Sequence, residues 1–249
     1  MAEIALMFSG GVDSTMAACL LAERYDRVHL LTYHNGHGTT GMGKARRRVE
    51  ELRDRYGRGK FEHLLTSTKG LMEKVVIDDL VETYAEYRSG FIWCMGCKLA
   101  MHARSAIYCL ENGVPEMSDG SSGSTQEMVE QMLVSLSLIR RFYAHYGIGF
   151  QTPVYDIPRE DEQADLRRRG FRMGLQVMGR NVGIQPSCYA GLVYYAPYLL
   201  FHKPPKHDEQ AVARFIDERS ARARAIVDGW FAQRGEPVPT LSPLTQEAG

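Results

Sequence analysis

The chain has 249 residues, with 30 Lys+Arg against 30 Asp+Glu and so no formal net charge. That length can bury one full core and a small appendage, and the balanced charge excludes the strong non-specific attraction to nucleic acid of a basic protein while leaving a local basic patch open. No apolar run is long enough to span a bilayer, and Met1 leads straight into an apolar run with no room for a signal peptide, so a soluble, cytoplasmic protein is expected. Five cysteines in such a chain point to metal or catalytic chemistry rather than to disulfides.

Ile4-Ala5-Leu6-Met7-Phe8 is short and wholly apolar, which predicts a strand buried on both faces. Ser9-Gly10-Gly11-Val12-Asp13-Ser14-Thr15 follows at once, and then a helical pattern from Met16 to Glu23. The glycines let the backbone turn sharply and approach a ligand. Ser14 and Thr15 can cap the helix, whose N-terminus carries partial positive charge and unpaired donors. Strand, turn and helix N-terminus together make a phosphate cradle. No Lys follows the glycines, so this is not the Walker-type loop, and the glycine spacing is not that of dinucleotide folds. SGGVDS resembles the signature of the PP-loop ATP pyrophosphatases, which split ATP between its α- and β-phosphates and adenylate a substrate. The resemblance implies that Ser9, Gly10, Gly11, Asp13, Ser14 and Thr15 hold ATP with Mg²⁺, and that Asp13 places the metal or orders the loop.

Val28 to Tyr33 reads as a second strand and His34-Asn35-Gly36-His37-Gly38 as a loop. In PP-loop enzymes the end of this strand lies beside the adenine and ribose, which makes Tyr33 and His34 candidate nucleotide contacts; His37 reads as solvated. Gly43 to Tyr56 is an amphipathic helix carrying Lys44, Arg46, Arg47 and Arg48, a pattern that is more often a solvated face than an RNA patch. Phe61 to Thr66 is a third strand, followed by a Ser67/Thr68 cap and a helix through Tyr87. A strand over Val114 to Ser118 enters the turn Asp119-Gly120-Ser121-Ser122-Gly123-Ser124-Thr125, and a helix is predicted from Gln126 to Tyr146. The Asp119-Gly120 pair is similar to the DG of sulfur-inserting PP-loop members, with Ser124-Thr125 where they carry an acidic pair; a plain Ser/Gly surface loop is the other reading.

Phe150 to Tyr155 is a fifth strand, and a helix from Asp156 stops at Gly170. PVYDIPREDEQADLRRRGF resembles a segment of PP-loop sulfur transferases and amidating enzymes. Alternating strands and helices predict a parallel α/β sheet with helices on both faces and right-handed connections, the HUP or adenine nucleotide alpha hydrolase-like class that the motif implies. The expected division is a PP-loop domain over 1–170, a helical C-terminal extension over 171–234 with a helix from His207 to Arg234, and a Pro-rich disordered tail over 235–249.

Cys94-Met95-Gly96-Cys97 is a CxxC, and Cys188 stands far along the chain in Gln185-Pro186-Ser187-Cys188-Tyr189-Ala190-Gly191. A lone CxxC is open between zinc, iron–sulfur and redox chemistry. CxxC with a distant third Cys resembles the iron–sulfur PP-loop tRNA thiolation enzymes, which implies a [4Fe–4S] cluster on Cys94, Cys97 and Cys188 with one iron open to bind sulfur. QPSCYAG also resembles the sulfur-handling region of nickel-pincer sulfur-insertion enzymes, without their Arg; there Cys188 would carry or donate sulfur. A catalytic disulfide or persulfide pair, zinc, and unrelated thiols are the other readings. Cys19 and Cys109 sit at apolar helical positions and read as core. Lys98 could meet a phosphate or be solvated.

The expected function is ATP-dependent adenylation of an acceptor oxygen followed by sulfur transfer. The partners would be ATP, a sulfur donor, a tRNA or small-molecule acceptor and, as an open reading, a second copy of the chain. Neutral charge leans to a small molecule, while Lys44 to Arg48 and Arg167 to Arg169 keep tRNA open. The rivals are a PP-loop amide- or nitrile-forming ligase and a non-catalytic nucleotide-binding module.

Overall fold

The computed structural model describes residues 1–173, 175–177, 180–182, 187–201, 203 and 205–243. In chain order its first half forms β1 (Glu3–Met7), α1 (Val12–Arg24), β2 (Arg27–His34), β3 (Thr39–Thr40), α2 (Gly43–Tyr56), β4 (Phe61–Ser67), α3 (Lys69–Met72), a π-helical turn (Glu73–Ile77), α4 (Leu80–Tyr87) and α5 (Phe91–Asn112). The second half forms β5 (Glu116–Ser118), α6 (Leu133–Ala144), β6 (Gly149–Gln151), α7 (Arg159–Arg168), β7 (Leu175–Val177), β8 (Arg180–Val182), β9 (Ser187–Cys188), α8 (Tyr189–Tyr194), α9 (Ala196–Phe201) and α10 (Glu209–Ala232).

Five parallel strands lie in the order β4-β2-β1-β5-β6. The chain leaves β1 to one side for β2 and β4, then crosses back to β5 and β6. The order therefore reverses between β1 and β5, where ligands of open α/β sheets bind beyond the carboxyl ends of the strands. Side chains alternate across the sheet: Ile4 and Leu6 of β1 join Val28, Leu30 and Phe61 under α1, α2 and α7, while Ala5, Leu31 and Met117 face α5, α6 and α10. Both faces are apolar because both are covered. Asp208 caps α10, its Oδ1 accepting from the N–H groups of Gln210 and Ala211 at 2.9 and 3.3 Å. Phe215, Ile216, Val227 and Phe231 of α10 are buried in the same core as α5 and α6, each worth roughly 1.5–3 kcal/mol. Beyond α10, Val238 and Leu241 pack on that core and the Leu241 N–H donates to the Tyr146 carbonyl at 3.0 Å; residues 244–249 of the expected tail lie outside the described residues. No helix among the described residues is long and apolar enough to cross a membrane.

Three expected elements differ, each for a local reason. The helix expected through Tyr87 is interrupted by the π-helical turn at Val75-Val76-Ile77, three β-branched residues in a row that are stiff in an α-helix. The helix expected from Gln126 starts only at Leu133. Before it, Gln131 Oε1 accepts from the Ser122 N–H at 2.7 Å and the Thr125 hydroxyl at 2.9 Å, bonds that compete with helix formation. The fifth strand stops at Gln151, since Pro153 has no N–H to continue a ladder. The CxxC occupies the first turns of α5, which begins at Phe91.

Candidate active site

The phosphate side is built locally. β1 is tied to β2 past its end, the Phe8 N–H donating to the Leu31 carbonyl at 2.8 Å and the Thr32 hydroxyl to the Phe8 carbonyl at 2.7 Å. Gly10 then takes φ +77°, left-handed backbone that favours glycine, and Gly11 is the residue before α1. The Gly11 N–H donates to Ser9 Oγ at 3.2 Å, and Ser9 Oγ lies 3.1 Å from Ser14 Oγ. The first N–H groups of α1 are left for an anion. Thr15 is turned away: it is fully buried and its hydroxyl donates to the Gly11 carbonyl at 2.6 Å, so it fixes the turn rather than facing a ligand.

The Asp119-Gly120 turn comes from the end of β5 onto the same place. A Cβ on Gly120 would stand 2.7 Å from the Ser14 nitrogen, so only glycine lets the two loops meet. Asp119 accepts from Lys98 Nζ at 2.6 Å and from the Ser121 N–H and hydroxyl, both at 3.0 Å. Burial opposes its charge, but Lys98 and these donors outweigh it and hold the carboxyl below its ordinary value. From α7, the Arg159 guanidinium pairs with Asp13. Glu162 is fully buried beside them, 4.0 Å from Arg159, and burial first, then Asp13, pushes its carboxyl up to about 9.

The thiol side is assembled from distant segments. Cys97 projects from α5, one turn past Cys94. Cys188 is brought in by β9, which runs antiparallel to β3 with Thr39 opposite Cys188, while the Tyr189 N–H donates to the Gly38 carbonyl at 3.2 Å. Asn35 Nδ2 donates to Cys97 Sγ at 3.4 Å. Burial pushes the Cys97 thiol up to about 12, the Asn35 donor opposing and the charges of Cys188 and Glu130 adding. Cys94 is raised by burial and then by Glu130, Cys188 and Cys97. Glu130 is held by the Tyr195 hydroxyl at 2.8 Å. Among the described residues no three His, Cys, Asp or Glu side chains are arranged to hold a metal ion. Cys19 and Cys109 are fully buried in the two cores.

The two sides face each other across one cavity of about 420 Å³. Ser9, Asp13, Ser14 and Tyr33 line it, and so do Asp119, Gly120, Cys97 and Cys188. Gly10 and Gly11 make the turn behind Ser9, and Cys94 stands one turn behind Cys97. His34 presents its carbonyl to the Thr68 N–H at 2.9 Å and is not in the lining. Tyr33 offers its ring, since its hydroxyl is 2.7 Å from Ser105 Oγ. Lys98 also lines the cavity. The sequence reading missed Asn35, Thr39 and Glu130, which line it too; the only signal was the adjacency of Asn35 to His34. Gln185 and Pro186 of the QPSCYAG motif lie outside the described residues.

A glycine turn and a helix N-terminus stand at the switch point of a parallel sheet, the place where open α/β folds bind their ligands. No protein-family model matches the chain, and no curated protein matches it. Among solved structures, a 4-thiouridine synthetase in complex with RNA and bound ATP is similar, with TM-score 0.54 and 14% identity over 93% of this chain and 53% of that one; the chain spans about half of that structure's length. The U34-tRNA thiolase NcsA from Methanococcus maripaludis, with its [4Fe–4S] cluster, gives TM-score 0.48 and 13% identity over 88% of this chain and 73% of that one. A predicted subunit of tRNA methyltransferase from Methanocaldococcus jannaschii gives 0.46 and 14% over 68% and 76%. The likeness to the synthetase shows the fold, a parallel α/β sheet of the kind that the strand–helix alternation implied.

Proposed function

We propose that the chain adenylates an acceptor oxygen with ATP and then exchanges that oxygen for sulfide-level sulfur that a separate donor delivers beside its cysteines. The observation that carries this reading is that Cys97 and Cys188 line the same cavity as Ser9, Asp13 and Ser14. ATP phosphates would lie on the amides of Gly10, Gly11 and the start of α1, with Asp13 offering a carboxylate to the accompanying Mg²⁺ and Lys98 offsetting developing charge. An acceptor oxygen attacks the α-phosphorus, the bond to the bridging oxygen breaks and pyrophosphate leaves. A sulfur nucleophile from a separate donor then attacks the activated carbon, and AMP leaves with the oxygen.

Three soft thiols suit a thiolate-held iron–sulfur group by donor type, but Cys94, Cys97 and Cys188 are not arranged to hold a metal ion, so the expected three-cysteine [4Fe–4S] site is not formed in this structure. The acceptor reading leans to a phosphate-bearing one such as tRNA. Arg46, Arg47, Arg53 and His63, with Glu50 paired to Arg53 at 2.9 Å, line a second hollow of about 420 Å³, and His63 Nε2 lies 2.9 Å from Oγ1 of Thr32, a residue that lines the first. A PP-loop ligase without sulfur chemistry is the second reading, favoured by the lack, among the described residues, of three groups arranged for a metal.

Anaerobic reconstitution followed by assays of pyrophosphate release and sulfur incorporation, against tRNA and against metabolite pools, tests the proposal. Release with thiolated product supports it. Release without sulfur incorporation favours the ligase, and no release from ATP overturns both enzyme readings.

A further inference from the structure

One buried amide joins the two halves of the thiol side. Asn35 is 1% exposed and lies in the loop between β2 and β3. Its Oδ1 accepts from the His37 N–H at 2.9 Å and from the Thr39 hydroxyl at 2.6 Å. The backbone N–H of His37 is a donor without ambiguity, which fixes the orientation of the amide. The Asn35 NH₂ must then point the other way, and there its acceptor is Cys97 Sγ at 3.4 Å. Thr39, held by the same side chain, stands opposite Cys188 in the β3–β9 pair. A short polar side chain with no chemistry of its own therefore touches one thiol directly and reaches the other through a single residue.

We propose that Asn35 is a positioning residue of the thiol site, donating to the Cys97 sulfur and, through Thr39, setting where Cys188 stands across the cavity. The proposal rests on reading Cys97 and Cys188 as working thiols. A donor aimed at sulfur fixes where the sulfur points across the cavity, and bonds of this kind orient reacting and ligating groups.

Asn35→Asp is the discriminating variant. It keeps the size of the side chain and an acceptor for His37 and Thr39, but replaces the donor to Cys97 with a carboxylate oxygen. Thr39→Val does the reverse, leaving the donor to Cys97 and removing the hydroxyl bond that holds β3. The readouts are iodoacetamide labelling of each cysteine in the reduced, metal-free full chain, followed by peptide mass, and Co²⁺ titration followed by thiolate-to-cobalt absorbance. Asn35→Asp is expected to slow Cys97 labelling about tenfold and to weaken Co²⁺ uptake, with Cys19 and Cys109 unchanged. Thr39→Val is expected to leave Cys97 at the wild-type rate and to speed Cys188. Wild-type Cys97 labelling in Asn35→Asp overturns the proposal, and so does Thr39→Val slowing Cys97 equally. If Asn35→Asp does not fold, the Thr39→Val arm decides: Cys188 labelling at the wild-type rate overturns the link. A wild-type chain that takes up no Co²⁺ on its thiols counts against the metal reading of the site, while the labelling comparison still decides the role of Asn35.

Discussion

The phosphate side and the thiol side of the cavity are built by different means. On the phosphate side Ser9, Gly10, Gly11, Ser14 and Thr15 are neighbours in sequence, and their hydrogen bonds run only a few residues along the chain. On the thiol side Cys97 is held by Asn35, and Cys188 is held by pairing with Thr39. Local chain geometry produces the first, because a strand, a glycine turn and a helix N-terminus make an anion cradle wherever they occur in that order. Only the completed tertiary fold produces the second. Perturbations should therefore divide the two halves cleanly.

The largest effect belongs to the phosphate side. Asp13→Ala removes the carboxylate paired with Arg159 from a partly exposed position, and should lower pyrophosphate release by about 100-fold with an unchanged far-ultraviolet spectrum. Near-normal release would remove Asp13 from the site. Cys188→Ser should give the opposite division, with sulfur transfer lost and pyrophosphate release retained. Loss of both would mean that the halves are not separable.

Gly120→Ala acts where the two nucleotide loops touch. Its Cβ would meet the Ser14 nitrogen at 2.7 Å, and the overpacking should cost about 1–3 kcal/mol together with weaker ATP binding, read by thermal melting with and without ATP. Full ATP-induced stabilisation in the variant would show that the loops do not need this contact.

The smallest effect is a pH slope. Glu162 titrates near 9 in the folded chain against an ordinary 4.5, so between those values the folded state holds a proton that the unfolded state has released. Stability from this group must fall as pH rises through that window and level off above it. Glu162→Gln should flatten the slope and melt higher than the wild type at alkaline pH; parallel profiles would refute the assignment.

Legibility in the sequence follows the same division. SGGVDS exposed the cradle, α2 matches its expected bounds of Gly43 to Tyr56, and the strand–helix alternation implied the parallel sheet. The start of α5 is not legible in the sequence because Gly96 stands inside its first turns, where the fold needs room for Val76. Asn35 is not legible because its partners Thr39 and Cys97 meet it only in the fold, and Thr39 pairs with β9, a strand of two residues with too little length to show a pattern. Thr15 was overcounted because a hydroxyl beside a phosphate turn can serve either the ligand or the turn, and here it serves the turn.

The central claim is that nucleotide and thiols share one cavity. Alkylation of each cysteine with and without saturating ATP and Mg²⁺ tests it most directly. The account predicts that nucleotide slows labelling of Cys97 and Cys188 and leaves Cys19 and Cys109 unchanged. Nucleotide binding that protects neither Cys97 nor Cys188 would contradict it.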